Sequence, residues 1–373
     1  MDESTGEARY HLLETTRQYA REKLFESDEG ETLRNQHLTY FLDLAEKGNR
    51  ELRGSNHVEW LKRLNAIREN LRAALNWAVE TGQTETALHL ARKLHWFWFV
   101  LGNHIEGRQW LGRVLALPDV SMYPESHAEA LTQLAHHTLL QIGTGEARPY
   151  VEQALTLAQE YDDNHNIARA LVQLGLVLTR EGDFAAGRSA LEDSKALFRQ
   201  FNDEWGYAHA VICLALGSFN QDDRVTALAL NEQALALFRK LGDRYFESAT
   251  LRFIGILQVK QGDVMRGMAA LRESLLLAQQ LDSKWEIAAV LWRLGEAVQH
   301  AGNPERAVCL LWAAKNVFDS IGAWHLEDDS DLENELAPCR AALGESEFAK
   351  AVEQGRAMTM EQAIEYALED TNE

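Results

Sequence analysis

Apolar residues recur along this chain at spacings of three, four and seven, as in helices with one buried face, and no segment alternates strictly as a half-buried strand would. A larger rhythm lies over the small one. Six consecutive segments, starting at Glu85, Glu125, His165, Trp205, Tyr245 and Trp285, share a period of 40 residues. Their tenth positions read Leu94, Leu134, Leu174, Leu214, Ile254 and Leu294, and their twenty-third are all small: Gly107, Ala147, Gly187, Ala227, Gly267 and Ala307. The thirtieth positions are Val114, Ala154, Ser194, Ala234, Ser274 and Ala314; the thirty-third are Leu117, Leu157, Leu197, Leu237, Leu277 and Val317. Between the tenth and twenty-third lies a breaker pair, Gly102-Asn103, Ile142-Gly143, Gly182-Asp183, Asp222-Asp223, Gly262-Asp263 and Gly302-Asn303. Glycine ends a helix in the left-handed region, and Asp or Asn caps the exposed amides of the next. Each segment therefore predicts two helices joined by a tight turn, and the chain is predicted to be all-α.

The two ends fall outside this register. Residues 1–84 predict a helical lead-in or arm, with helices near 12–25 and 33–49. A third stretch places Trp60, Leu64, Ile67, Leu71, Leu75 and Ala78 on one face, with Ser55 as its cap and Gly82 as its stop. After Trp324 comes an acidic loop, Glu327-Asp328-Asp329-Ser330-Asp331, and then short helices; Thr359 and Gln362 have the spacing of a capping box for the last. A stack of repeats needs a terminal unit that hides its open end. The division expected is an arm over 1–84, six repeats (85–124, 125–164, 165–204, 205–244, 245–284 and 285–324) and a C-terminal cap over 325–373.

These repeats resemble the tetratricopeptide unit. That family carries a Leu-Gly pair in its first helix and small residues at two later positions, spaced here as Leu174-Gly175, Gly187 and Ser194, or Leu294-Gly295, Ala307 and Ala314. Its period is about 34, against roughly 40 to 47 for HEAT and armadillo units. The steps from Gly295 to Ala307 and on to Ala314 match the shorter repeat, so the surplus falls in the second helix and the loop after it. The resemblance implies a right-handed superhelical solenoid, with HEAT-like stacking as the alternative.

The flanks add to it. The stretch from Arg9 to Leu24 is similar to the segment that follows the nucleotide-binding and winged-helix modules of bacterial STAND-class signalling ATPases, the class that includes the maltotriose-responsive transcriptional activators. Trp60-Leu61-Lys62-Arg63-Leu64 with Glu69–Leu75 resembles their helical arm, and Gly355–Leu368 resembles their C-terminal cap. No Gly-x-x-x-x-Gly-Lys-Ser/Thr loop occurs in the chain. The resemblance implies the sensor region of a longer regulator, controlling activation and oligomerisation of an ATPase module outside this sequence. A free-standing adaptor that binds peptides is the alternative.

Composition narrows the partners. A net charge of −20 over 373 residues argues against direct nucleic-acid binding and against an anionic membrane surface. Three cysteines, Cys213, Cys309 and Cys339, have no metal-ligand spacing and fit reduced thiols, which points to the cytoplasm. No apolar stretch of 18 residues occurs; the densest run, His95–Leu101, predicts a helix covered on most sides.

Candidate chemistry is sparse. The adjacent His136-His137 pair would point about 100° apart on a helix, a poor arrangement for one metal. Paired acids such as Asp162-Asp163 and Asp222-Asp223 sit in turns, and no nucleophile elbow exists. No catalysis, cofactor or metal is expected. In tetratricopeptide arrays the first helices line a concave groove. By that resemblance the groove holds His89, Lys93, Trp96, Gln133, His136, Arg169, Gln173, Arg180, His209, Asn220, Phe253, Lys260, Arg293, Glu296 and His300. This stripe is polar and partly basic in an acidic chain, which predicts a polar or partly anionic ligand: a peptide or protein segment, or a small molecule.

Overall fold

The computed structural model describes residues 15, 16, 18, 19, 23, 29–321 and 329–369. The helix expected near 12–25 lies mostly outside them, as do Glu327 and Asp328 of the expected acidic loop; the rest of that loop, from Asp329, is instead the start of a helix. All regular structure among the described residues is helical. The arm forms α1 (Gly30–Glu51), α2 (His57–Ala66) and α3 (Arg68–Glu80). Twelve helices follow in pairs: α4 (Thr84–Val100) and α5 (His104–Leu115), α6 (Pro124–Gln141) and α7 (Thr144–Glu160), α8 (Asn164–Arg180) and α9 (Phe184–Gln200), α10 (Glu204–Asn220) and α11 (Arg224–Leu241), α12 (Arg244–Lys260) and α13 (Val264–Gln280), α14 (Lys284–His300) and α15 (Pro304–Ser320). The chain ends in α16 (Asp329–Ala357), broken at Gly344, and α17 (Met360–Leu368).

Most of the turns use one device, the exceptions being the connection from α5 to α6 and the turn at Gly143. A residue in the left-handed region ends a helix: Gly102, Gly182, Asp222, Gly262 and Gly302 within pairs, and Asp162, Asn202, Gly242 and Asp282 between them. Glycine enters that region freely, and Asp and Asn tolerate it. The following Asp or Asn then accepts a hydrogen bond from the amide three residues on. Asp183, Asp223, Asp263 and Asn303 do so within pairs, and Asp163, Asp203 and Asp243 between them.

The signature glycines lie at the closest approach of paired helices. A Cβ on Gly175, Gly255 or Gly295 would meet Leu191, Leu271 or Leu311 at 2.5–2.9 Å, and the carbonyl of residue 187, 267 or 307 at 2.9–3.3 Å. The hydroxyl of Ser194 donates to the Ala168 carbonyl at 2.8 Å, and that of Ser274 to the Ser248 carbonyl at 2.8 Å.

Two features depart from the sequence pattern. The apolar stripe from Trp60 to Ala78 runs across two helices, because Ile67 leaves the helical region (φ −107°, ψ 12°). That break lets Leu64 pack on Gly48 of α1 while Leu71 and Leu75 enter the core of the first pair. Ser55 does not cap α2; it lies in a loop that reaches far along the chain, where a Cβ on Gly242 would sit 3.4 Å from its amide nitrogen.

That reach shows how tightly the stack turns. Successive first helices touch one another, and α4 also meets α10 and α12: Trp96 lies 4.8 Å from Trp205 and 5.9 Å from Phe246, and Phe99 lies 5.4 Å from Tyr245. One apolar core runs from Leu38 in the arm to Phe246. At the far end α16 and α17 cover α15. Asn316 donates to the Gly355 carbonyl at 3.2 Å, Arg306 donates to the carbonyls of Tyr366 and Glu369, and Thr359 and Gln362 close a capping box.

Candidate functional site: two chambers inside the turn

Because first helices crowd toward the inside of the turn, their side chains enclose two adjoining cavities. The larger, of ≈ 250 Å³, is mostly apolar, walled by Phe99, Leu139, Leu176, Ile212, Leu216 and Phe253 among others. The smaller, of ≈ 70 Å³, is mixed, with Arg53, Glu129, Gln133, Arg169, Gln173 and Asp203 in its lining beside Trp96, Phe198 and Trp205. His136 and His209 line both and form the partition.

The smaller chamber is built around an inserted cation. Arg53, on the loop between α1 and α2, places its guanidinium carbon 5.1 Å from the Trp96 ring and 4.5 Å from the Trp205 ring. Burial brings its pKa down to about 10, helped by the charge of Arg169 and opposed by Glu129, Asp203 and Asp243. Trp205 is fixed in turn: its Nε1 donates to Asp243 Oδ2 at 2.9 Å, and His209 stacks on it at 5.1 Å. Glu129 pairs with Arg92 and, at 3.3 Å, with Arg169. Burial opposes ionisation of Glu129, but those cations hold its pKa below the usual value.

Two arginines, Arg180 and Arg252, are in the lining of the larger chamber. Arg180 donates to the Leu139 carbonyl at 2.8 Å. Arg252 is buried against Glu286 at 2.8 Å, with its guanidinium over Phe253 and Trp285.

Behind the partition lies a string of imidazoles. His136 Nδ1 is 3.4 Å from His95 Nε2, His95 Nδ1 is 3.1 Å from His137 Nε2, and His137 Nδ1 is 3.2 Å from His104 Nδ1. The nitrogens face one another in sequence instead of converging on a point, and among the described residues no group of three or more His, Cys, Asp or Glu is arranged to hold a metal ion. Burial lowers all four pKa values, His104 to about 4, and His209 nearby also falls to about 4. The thiol of Cys213 at the larger chamber is pushed by burial to about 12, far from a reactive thiolate.

Of the groove positions named from sequence, the structure brings Trp96, Gln133, His136, Arg169, Gln173, Arg180, His209 and Phe253 to these chambers. It does not bring the others. His89 pairs with Glu46 of the arm at 2.6 Å, and Lys93 lies beside it in the field of Glu129 and Arg92. Asn220 and His300 are exposed at helix ends, and Lys260 sits over the Phe219 ring at 5.1 Å. Arg293 pairs with Glu296, which also accepts from Trp292 Nε1 at 2.9 Å. Sequence reasoning missed Arg53, His95, Trp205, Asp203 and Arg252. Arg53 lies outside the repeats, in a register nothing in the pattern flags.

The fold is a tetratricopeptide-like solenoid. A Signal Transduction ATPase with Numerous Domains (STAND) protein with a tetratricopeptide repeat sensor, from Pyrococcus horikoshii, superposes with a TM-score of 0.60 at 16% identity, covering 82% of this chain and 45% of that one. A Rap protein complexed with Competence and Sporulation Factor superposes with a TM-score of 0.59 at 12% identity, covering 90% of this chain and 99% of that one. Among curated sequences, proteins of Mycobacterium tuberculosis and Mycobacterium bovis named "Putative HTH-type transcriptional regulator" are 32% identical over 181 residues, 47% of this chain. The chain spans about a fifth of their length, 20%. No family model matches. Among the described residues no helix is long and apolar enough to cross a membrane.

Proposed function

We propose that this chain is a non-catalytic sensing scaffold, the part of a larger STAND-type regulator that binds a small signal inside its superhelical turn and passes it to the arm. The observation that carries this is Arg53: a side chain of the arm forms one wall of the interior cavity. A ligand there meets the arm directly. Ligand and arm position then bias one equilibrium, which requires different ligand affinities with Arg53 seated and unseated. The curated relatives named as regulators and the STAND sensor of like fold support the reading, and through them a nucleotide-binding module N-terminal to the arm is the partner. Transcriptional output and control of oligomerisation belong to that longer protein.

The reading is tested by thermal unfolding of the chain with the small-molecule fraction of a cell extract. A ligand held at a hundred times its Kd adds roughly 2.7 kcal/mol, a rise of several degrees in Tm. The rise is expected to vanish in Leu216→Trp, which fills the larger chamber, and in Arg169→Glu. Arg293→Glu, outside the chambers, is expected to keep it. If all three variants respond like the parent chain, the signal binds elsewhere and the interior site is wrong.

A further inference from the structure

The wall of the larger chamber carries charge of one sign. No Asp or Glu lines it among the described residues, although the chain has 57 acids against 37 Lys and Arg. Its two arginines differ. Arg252 is buried and neutralised by Glu286. Arg180 has no carboxylate partner among the described residues, and its one hydrogen bond there runs from Nη1 to the Leu139 carbonyl. Elsewhere along the first helices an arginine has its acid: Arg92 pairs with Glu129, and Arg293 with Glu296. Arg180 is exposed as a residue, yet burial lowers its pKa and no acid opposes the fall. A side chain that is exposed and also lines the cavity stands where the cavity meets solvent. Leu139 holds one of its N–H groups and the others are left for an acceptor. The rest of the wall is largely apolar and rich in aromatic side chains: Phe99, Tyr245, Phe246, Phe253 and Trp285. An apolar cavity of about 150 Å³ takes one benzene ring. A space of ≈ 250 Å³ suits a bicyclic body.

We propose that the larger chamber takes a bicyclic aromatic carboxylic acid, its carboxylate on Arg180 and its rings among those aromatic side chains; the assignment deepens the interior-site reading above and rests on it. Each part of such a molecule answers a feature of the wall. Burying the rings removes apolar surface from water and sets no polar group against the apolar lining. An unpaired guanidinium calls for one negative charge, and a planar carboxylate accepts from two of its N–H groups. A cation would meet two arginines and no acid. A sugar would press its hydroxyls against a wall with few partners for them. The occupant also reaches the arm. Tyr245, in the same wall, stacks on His57 of α2, and His209 stacks on Trp205, against which Arg53 lies.

The test is calorimetric titration of the chain at neutral pH with 2-naphthoic acid, its primary amide and naphthalen-2-ylmethylamine. These present one ring system with an anionic, a neutral and a cationic head. We expect the acid to bind, the amide to bind roughly tenfold more weakly, and the amine not to bind measurably. Arg180→Gln should bring the acid down to the amide's affinity while shifting the Tm of the free protein little. Arg180→Lys should restore part of the difference, since it keeps the charge and loses the planar pairing. Leu216→Trp should abolish binding of acid and amide alike. Equal binding of acid and amide, or an acid affinity unmoved in Arg180→Gln, overturns the assignment; if Leu216→Trp still abolishes that binding, the interior-site reading survives. Binding that persists in Leu216→Trp lies outside the chamber and overturns the assignment. Absence of binding by all three compounds overturns it too. The interior-site reading is then decided by the extract: a Tm rise lost in Leu216→Trp keeps it, and a rise retained there sinks it. The comparison of heads in the parent chain and in Arg180→Gln decides the assignment even where Leu216→Trp does not fold.

Discussion

At the scale of single residues, the buried histidines set the response to acid. His95, His104, His136, His137 and His209 all have pKa values lowered by burial, so the folded protein holds them neutral. Four neutral rings with one N–H each can satisfy the three contacts of the string in a single direction. The unfolded chain takes up protons on these side chains near 6.5. Their contribution is therefore complete above pH 6.5 and is lost as the pH falls below it, for His104 and His209 down to about 4, at up to about 1.4 kcal/mol per pH unit for each histidine. Urea unfolding at pH 7.5 and pH 5 is expected to show a marked loss of stability. His209→Asn should lose less over that interval; a variant with the parent's full loss would show that His209 does not titrate as described. The adjacent pair His136-His137 was legible as two diverging side chains, but not as members of a string. Its other members lie 42 and 33 residues earlier, at His95 and His104. Contacts at nearly one period recur between neighbouring pairs, as in Gln133 to Arg92 and Trp205 to Asp243. Once the period is known, those separations point to which polar residues meet.

At the scale of elements, the signature glycines separate packing from propensity. Gly255 lies where α12 crosses α13, and a Cβ there meets Leu271 at 2.6 Å and the Gly267 carbonyl at 2.9 Å. The Leu271 atom met is its branch carbon, Cγ, and the other is a backbone carbonyl, so neither moves aside cheaply. Gly255→Ala is therefore expected to destabilise by about 1–3 kcal/mol as overpacking. Gly112, within α5, has nothing within 4 Å of such a Cβ, so Gly112→Ala should gain roughly 0.5–1 kcal/mol of helix stability. Chemical denaturation of the two variants checks the pair, and equal effects would mean that the close approach is not what these glycines serve. The helix pairs could be read from sequence because breaker, cap and small residue recur in phase. The division of the arm at Ile67 could not, since the apolar stripe continues through it. Only the docking of Leu64 on Gly48 shows why the axis turns there.

At the scale of the whole molecule, the arm closes the turn of the repeats as well as preceding it. His57 stacks on Tyr245 with ring planes 10° apart, and Leu52, Phe238 and Phe246 share one core. Arg53 is the clasp between the tryptophans of α4 and the start of α10. The groove stripe read from the repeats includes some of the residues that line the cavities but not this wall, because an array pattern carries no information about a segment outside its register. Arg53→Glu replaces a cation held by two ring faces with an anion set beside Glu129 and Asp203, reversing the local electrostatics without touching the repeat core. Amide exchange is expected to quicken at least tenfold in residues 52–56 and through α1–α3, while α13–α17 keep the parent's protection. Arg53→Lys should fall between, since it keeps the charge and loses the planar group that lies against the rings. Acceleration in arm and cap alike would mean global unfolding instead of release, and unchanged exchange in the arm would mean that the clasp does not hold it. Arm-only release is the outcome that lets a ligand in the chamber, by competing for or bracing Arg53, set the position of whatever the arm carries.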